Sequence, residues 1–210
     1  MSESAGIVLV IDDDVSIREA LRRLIRSVGL QVEVFGSGRE FLERKPPEMP
    51  ACITLDIRLP GIGGLDLQRQ LTEAHITIPI IFVTGQGDIA MSVRAMKAGA
   101  VDFLTKPFRD QELLDAIARA VEQDRVRRRQ EAELITLQEH FVLLSPREQE
   151  VLSWVVSGLL NKQVAAEIGT TEATVKFHRG QLMRKMNADS LADLVRMAAK
   201  LGISAAHRGD

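Results

Sequence analysis

The chain has 210 residues, 45% of them hydrophobic and 27% charged, with a formal net charge of −2 and a single cysteine, Cys52. That composition supplies packed cores and excludes a disordered chain or a disulfide framework, and a lone thiol fits a reducing cytoplasm. The charge is uneven: residues 1–124 carry 14 Lys+Arg against 19 Asp+Glu, net −5, and residues 125–210 carry 13 against 10, net +3, which points to different partners for the two halves.

The apolar stretch from Ala5 to Ile11 is stopped by three aspartates. It is too short to span a membrane and lacks the basic flank of a signal peptide, so the expectation is a cytoplasmic protein without a membrane partner. Short β-rich runs then alternate with amphipathic stretches. The runs are Ile7–Ile11, Val32–Phe35, Cys52–Leu55, Ile78–Val83 and Val101–Leu104. Between them lie Ser16–Val28, Arg39–Arg44, Leu65–Ala74, Asp88–Ala98 and a helix from Asp110 onward. Ser37 and Glu40 form a capping-box pattern that opens the second of these helices. This alternation predicts an α/β domain, a parallel sheet covered by helices on both faces. Cys52 sits inside one of the runs and reads as a small core residue.

Four strands run into polar residues: the first into Asp12, Asp13 and Asp14, the third into Asp56, the fourth into Thr84, and the fifth toward Lys106. Ligands of open α/β sheets bind beyond the carboxyl ends of the strands. A lone aspartate there is usually a turn or cap and a lone lysine a solvated charge, but four matching ends exceed what turn chemistry explains. Clustered carboxylates need a cation, and hard oxygen donors around an open site suit Mg²⁺. An aspartate so neutralised can attack a phosphoryl group, and a hydroxyl and an ammonium can hold the phosphoryl oxygens.

The segments IDDD (11–14), LDIRLPGIGGLDL (55–67), VTGQGD (83–88) and AVDFLTKPF (100–108) resemble the receiver domain of two-component response regulators. The resemblance implies a flavodoxin-like sheet of strand order 2-1-3-4-5. It also implies Asp56 as phosphoacceptor, and Asp12, Asp13, Asp56 and the backbone carbonyl of Arg58 around Mg²⁺. Thr84 and Lys106 would bind the phosphoryl group, Phe103 with Thr84 would form the switch pair, and the Lys106–Pro107 bond would be cis. Asp14 reads as an extra loop or cap carboxylate. A phosphatase with an aspartyl nucleophile would carry a second aspartate two residues on, where Arg58 stands. A dinucleotide fold would show GxGxxG after the first strand, which is missing here.

From Asp110 the apolar positions Leu113, Leu114, Ile117, Val121, Leu134, Leu137 and Phe141 continue without Gly or Pro, which predicts one helix to about Glu139, roughly 45 Å long. Its middle, Gln123–Glu133, is almost wholly polar and is expected to stand away from either core. The basic run Arg125–Arg129 suits contact with DNA phosphates or, the reading preferred, a solvated face partnered by Glu131 and Glu133.

Residues 142–204 contain four helical segments. Ser145, Pro146 and Glu148 combine a cap, a first-position proline and a capping-box acid, and that helix ends at Gly158. Asn161 is expected to cap the second segment, which stops at Gly169; Thr171 caps the third and Ser190 the fourth. Two short helices joined by a glycine-containing turn make a helix-turn-helix. On the third helix Val175, Leu182 and Met186 share one face with Arg179 beside them. Ala173, Lys176, Phe177, Gly180 and Arg184 share the other, with Gln181 at its edge. Phe177 suits either a thymine methyl in the major groove or packing against another helix. His140, His178 and His207 lack metal-ligand spacing.

The stretch LSPREQEVLSWVVSGLLNKQVAAEIGTTEATVKFHRGQLMRKM (144–186) is similar to the LuxR-type effector domain, which with the receiver identifies the chain as a member of the NarL/FixJ family. The expected organisation is a receiver over 1–122, a helical linker over 123–141 and a four-helix DNA-binding domain over 142–210. The resemblance implies a regulator rather than an enzyme, phosphorylated by a sensor histidine kinase. It implies a homodimer on phosphorylation, and double-stranded DNA and RNA polymerase as partners. Thr171, Thr174, Lys176, Phe177, Gly180, Gln181 and Arg184 are its DNA-binding candidates. Gly180 departs from relatives, which often carry a larger groove-facing residue there.

Overall fold

A computed structural model describes residues 6–85 and 89–203; Ala5, Asp88 and His207, named above, lie outside them. The chain divides into two compact units, residues 1–128 and 129–210.

The first unit is built on strands β1 (Ile7–Ile11), β2 (Gln31–Phe35), β3 (Ala51–Leu55), β4 (Ile80–Thr84) and β5 (Asp102–Thr105), all parallel in the order β2-β1-β3-β4-β5. Central strands of such a sheet are covered on both faces and therefore read as unbroken apolar runs. β1, β3 and β4 are indeed buried at every position, whereas edge strand β2 exposes Gln31 and Glu33. β4 starts two residues later than its apolar run because Pro79 has no N–H to give the ladder; its carbonyl still accepts from Ile53 N at 2.8 Å.

Alternate side chains feed two cores. Leu9, Ile53 and Phe82 meet α2 (Gly38–Leu42), α3 (Gly64–Glu73) and α4 (Ile89–Lys97) through Phe41, Leu67, Leu71 and Ala95. Val8, Val10, Cys52 and Ile81 meet α1 (Val15–Ser27) and α5 (Asp110–Val142) through Leu21, Ile25, Leu113 and Ile117. The arrangement is the flavodoxin-like doubly wound fold, and Cys52 is a buried core residue whose thiol is pushed up by desolvation.

Helix α5 is continuous over 33 residues, three beyond the expected end. The expectation that its polar middle stands clear of any core is wrong at Asp124, which is 0% exposed. Its carboxylate accepts from Ala51 N at 2.9 Å and from Arg128 Nε at 2.7 Å, while Arg128 also donates to the Pro47 carbonyl at 2.9 Å. Arg125 pairs with Glu122, and Arg127 and Arg128 pair with Asp124, while Glu133 pairs with Lys200 and also feels the Arg129 charge, as expected. A buried carboxylate is tolerated because every lone-pair direction finds a donor.

In the second unit α6 (Pro146–Val156), α7 (Asn161–Glu167), α8 (Glu172–Met186) and α9 (Leu191–Lys200) pack around Val151, Leu152, Val164, Val175, Leu182 and Leu194. Ser145 and Glu148 form the full capping box, and Thr171 and Ser190 cap α8 and α9. Asn161 is not the cap of α7. It is the first helical residue, its side chain accepts from Arg179 at 3.0 Å, and the Leu160 N–H is satisfied by Gln163 Oε1 at 2.8 Å. No helix among the described residues is long and apolar enough to cross a membrane.

Candidate functional site

The carboxyl ends of β1, β3 and β5 bring the predicted polar residues together. Asp12, directly after β1, is 3% exposed, and Asp56, directly after β3, is 8% exposed. Lys106 follows β5, and its Nζ donates to Asp12 Oδ2 at 2.6 Å and to Asp56 Oδ2 at 2.9 Å. The remaining oxygens are held by backbone: Asp14 N donates to Asp12 Oδ1 and Arg58 N to Asp56 Oδ1, each at 2.9 Å. Asp13 is exposed, and one carboxylate oxygen from each of Asp12, Asp13 and Asp56 lies within 4.8 Å of the others. Asp14 is apart from this group and caps α1, accepting from Ser16 N at 2.7 Å.

Two of the three carboxylates, Asp12 and Asp56, share one ammonium. Burial raises the Asp12 carboxyl above its ordinary value, and the hydrogen bond from Lys106 offsets this only in part. Burial also disfavours the Lys106 ammonium, but the hydrogen bonds to Asp12 and Asp56 outweigh it, so Lys106 is held above its usual range. An excess of hard oxygen donors open to solvent on the Asp13 side is the donor set a small divalent cation takes, with waters completing its shell.

Thr84 ends β4 and is 1% exposed, and its carbonyl accepts from Lys106 N at 2.8 Å. Phe103 is half-buried on β5, its ring 6.4 Å from that of Phe82. The Lys106–Pro107 bond is cis. Sequence reasoning did not single out Gly64, at the start of α3. A Cβ there would stand 2.9 Å from Ile57 Cα and nearer still to the Asp56 carbonyl oxygen. Only glycine lets α3 dock so closely on the loop carrying Asp56; the signal in the sequence was the pair Gly63-Gly64 opening a helix.

The second site is the outward face of α8. Val175, Leu182 and Met186 are buried, while Lys176, Phe177, Gly180 and Arg184 are exposed. Phe177 is 62% exposed, more than burial against another helix would leave it, and its ring lies edge-on to that of His178 at 5.6 Å. Gln181 is half-buried and accepts from Arg184. Thr171 caps the helix, accepting from Thr174 N at 3.2 Å, and the two hydroxyl oxygens lie 2.8 Å apart. A Cβ at Gly180 would meet open space. A helix presenting cations, an aromatic ring and a bare backbone on one exposed face can enter a groove.

Comparison with known proteins matches residues 8–118 to the response regulator receiver domain and residues 142–198 to the bacterial regulatory proteins of the luxR family. The chain is 57% identical over 206 residues to nodulation protein W of Bradyrhizobium diazoefficiens, covering 98% of this chain and 91% of that one. It is 49% identical over 201 residues to response regulator protein TodT of Pseudomonas putida, covering 96% and 88%. Among solved structures, response regulator StyR superposes with a TM-score of 0.84 at 48% identity, covering 94% of this chain and all (100%) of that one. Full-length FixJ from B. japonicum gives 0.58 at 38% identity, covering 94% and 97%. The chain belongs to the NarL/FixJ family of two-component response regulators, with a receiver domain followed by a LuxR-type DNA-binding domain.

Proposed function

We propose that the protein is a transcription factor switched by phosphorylation of Asp56. The supporting observation is the Lys106 ammonium held between Asp12 and Asp56, with Asp13 alongside, at one end of the sheet. The donor is a phosphohistidine of a sensor kinase. An Asp56 carboxylate oxygen attacks phosphorus, the P–N bond breaks and the imidazole leaves, giving an acyl phosphate. Lys106 and the Thr84 hydroxyl hold the phosphoryl oxygens. Asp12, Asp13, Asp56 and the Arg58 carbonyl would hold Mg²⁺, which when bound neutralises charge developing on those oxygens. Drawing Thr84 inward frees space that Phe103 fills, and the altered α4–β5 face, where Ile89, Val93 and Met96 are exposed, favours homodimerisation. A dimer offers two α8 helices to two DNA half-sites, so their affinities combine, and bound dimers act on RNA polymerase. The functional limits we assign are receiver 1–122, linker 123–141 and DNA-binding domain 142–210.

Adding beryllofluoride with Mg²⁺, a phosphoryl mimic, to the full-length protein should tighten binding to its own DNA site about tenfold or more at fixed salt. Unchanged affinity would mean a constitutive binder, and labelling without specific DNA binding would mean a phosphoryl sink.

Thr171, Thr174, Lys176, Phe177, Gly180, Gln181 and Arg184 form the proposed DNA surface. Lys176→Ala and Arg184→Ala should each weaken binding. A phosphate contact would lower the salt slope by about one charge for every sequence, and a base contact would relax preference at one position by about 1–3 kcal/mol. Titration against salt with two DNA sequences separates these, and no loss in either variant would remove α8 as the reading helix.

A further inference from the structure

Helix α4 is anchored to the core by Ala95 and the half-buried Met91. Ala95 is its one buried residue, and Ile89, Val93 and Met96 are 84%, 43% and 45% exposed. The turn after α4 already ties Ala95 O to Ala100 N at 3.1 Å and Met96 O to Gly99 N at 3.0 Å, and Gln68 of α3 adds a side-chain tie to the same end. Its Nε2 donates to Ala95 O at 3.3 Å and to Ala98 O at 3.2 Å. Gln68 is 3% exposed, a buried amide in a stripe otherwise made by Leu67 and Leu71. The other end of the same short helix is fixed to the phosphoacceptor loop. Gly64 N donates to Ile57 O at 2.9 Å, and the missing Cβ lets α3 press on the backbone of Asp56 and Ile57.

We propose that Gln68 is a positioning residue that couples the Asp56 loop to α4: the close Gly64 contact moves α3 with that loop, and the Gln68 amide carries the movement to the end of α4. The inference rests on the phosphorylation-dependent reading above. Its physical content is that a thinly packed helix follows the neighbour whose buried side chain is hydrogen-bonded to the backbone at its end. A leucine at this position would pack as well as glutamine and hold nothing, so packing alone gives no reason for a buried amide here. Gln68→Met keeps the length and volume and removes the donor. Gln68→Glu keeps the shape and, when ionised, sets a negative charge against the negative end of α4.

The test is amide hydrogen exchange of the full-length protein and both variants, with and without beryllofluoride and Mg²⁺, beside DNA titrations of the same samples. In the wild type, exchange should change on activation both at residues 57–63 and at residues 95–100. In Gln68→Met the change at 57–63 should persist, that at 95–100 should be lost, and the gain in DNA affinity should shrink about threefold or more. Gln68→Glu should do the same, with residues 95–100 already exchanging faster before activation. A residue needed only for folding would instead loosen α1 and α3 as well, and that result overturns the coupling role. So does an α4 response in Gln68→Met equal to that of the wild type, or a wild type in which residues 95–100 never respond. Intact α4 coupling without any gain in wild-type DNA affinity would overturn the regulatory reading and leave Gln68 in its role.

Discussion

Asp56→Asn is expected to lose all covalent labelling by acetyl phosphate while melting within a few degrees of the wild type. The amide nitrogen that replaces Oδ2 is no nucleophile toward phosphorus, so intact-mass measurement should show no phosphoprotein at any donor concentration. The fold should survive because asparagine keeps the oxygen that accepts from Arg58 N at 2.9 Å. Two opposing effects act on stability. Lys106 loses its 2.9 Å partner at Asp56 but keeps the 2.6 Å bond to Asp12. Asp12, which burial and the nearby Asp56 charge both push toward protonation, is relieved of a like charge. These are of similar size, each on the order of 1 kcal/mol for charged groups at a partly solvated site. Labelling that persists in the variant would move the acceptor to another carboxylate.

The sheet and the polar cluster were legible because their physics is local. Strands covered on both faces are apolar throughout, and the residue that leaves each strand falls at one edge of the sheet whatever the details of packing. The two faces of α8 were equally legible, since 3.6-residue periodicity separates Val175, Leu182 and Met186 from Lys176, Phe177 and Arg184 before any contact is known. What escaped were polar residues sitting in apolar stripes. Asp124 continues the spacing Leu113, Ile117, Val121 at three- and four-residue steps, and Gln68 stands between Leu67 and Leu71 in the same way. Composition reads both as surface, whereas stripe position marks them as inward. Asn161 failed for a different reason: a cap needs extended backbone angles, and these fall one residue earlier at Leu160, whose own N–H is taken by Gln163.

The receiver should lose about 3 kcal/mol of stability in Asp124→Ala, the lower part of the range for breaking a buried charged pair. The wild-type carboxylate is fully enclosed and accepts from Ala51 N at 2.9 Å, Arg127 Nε at 3.1 Å and Arg128 Nε at 2.7 Å. Alanine would strand the Ala51 N–H at the start of a strand buried at every position, and would remove the carboxylate that Arg127 and Arg128 share. Those arginine side chains are 28% and 27% exposed, so part of their charge can return to water, which keeps the cost below the upper end. Asp124→Asn retains an acceptor for Ala51 and should cost about half as much. For a unit of this size the alanine variant should melt roughly 10 °C lower. Acetyl phosphate labelling at low temperature should be unaffected, because Asp124 lies against the beginning of β3 and Asp56 follows its end. A loss under about 1 kcal/mol would mean that water replaces the carboxylate without penalty and that this part of α5 is held by its apolar neighbours alone.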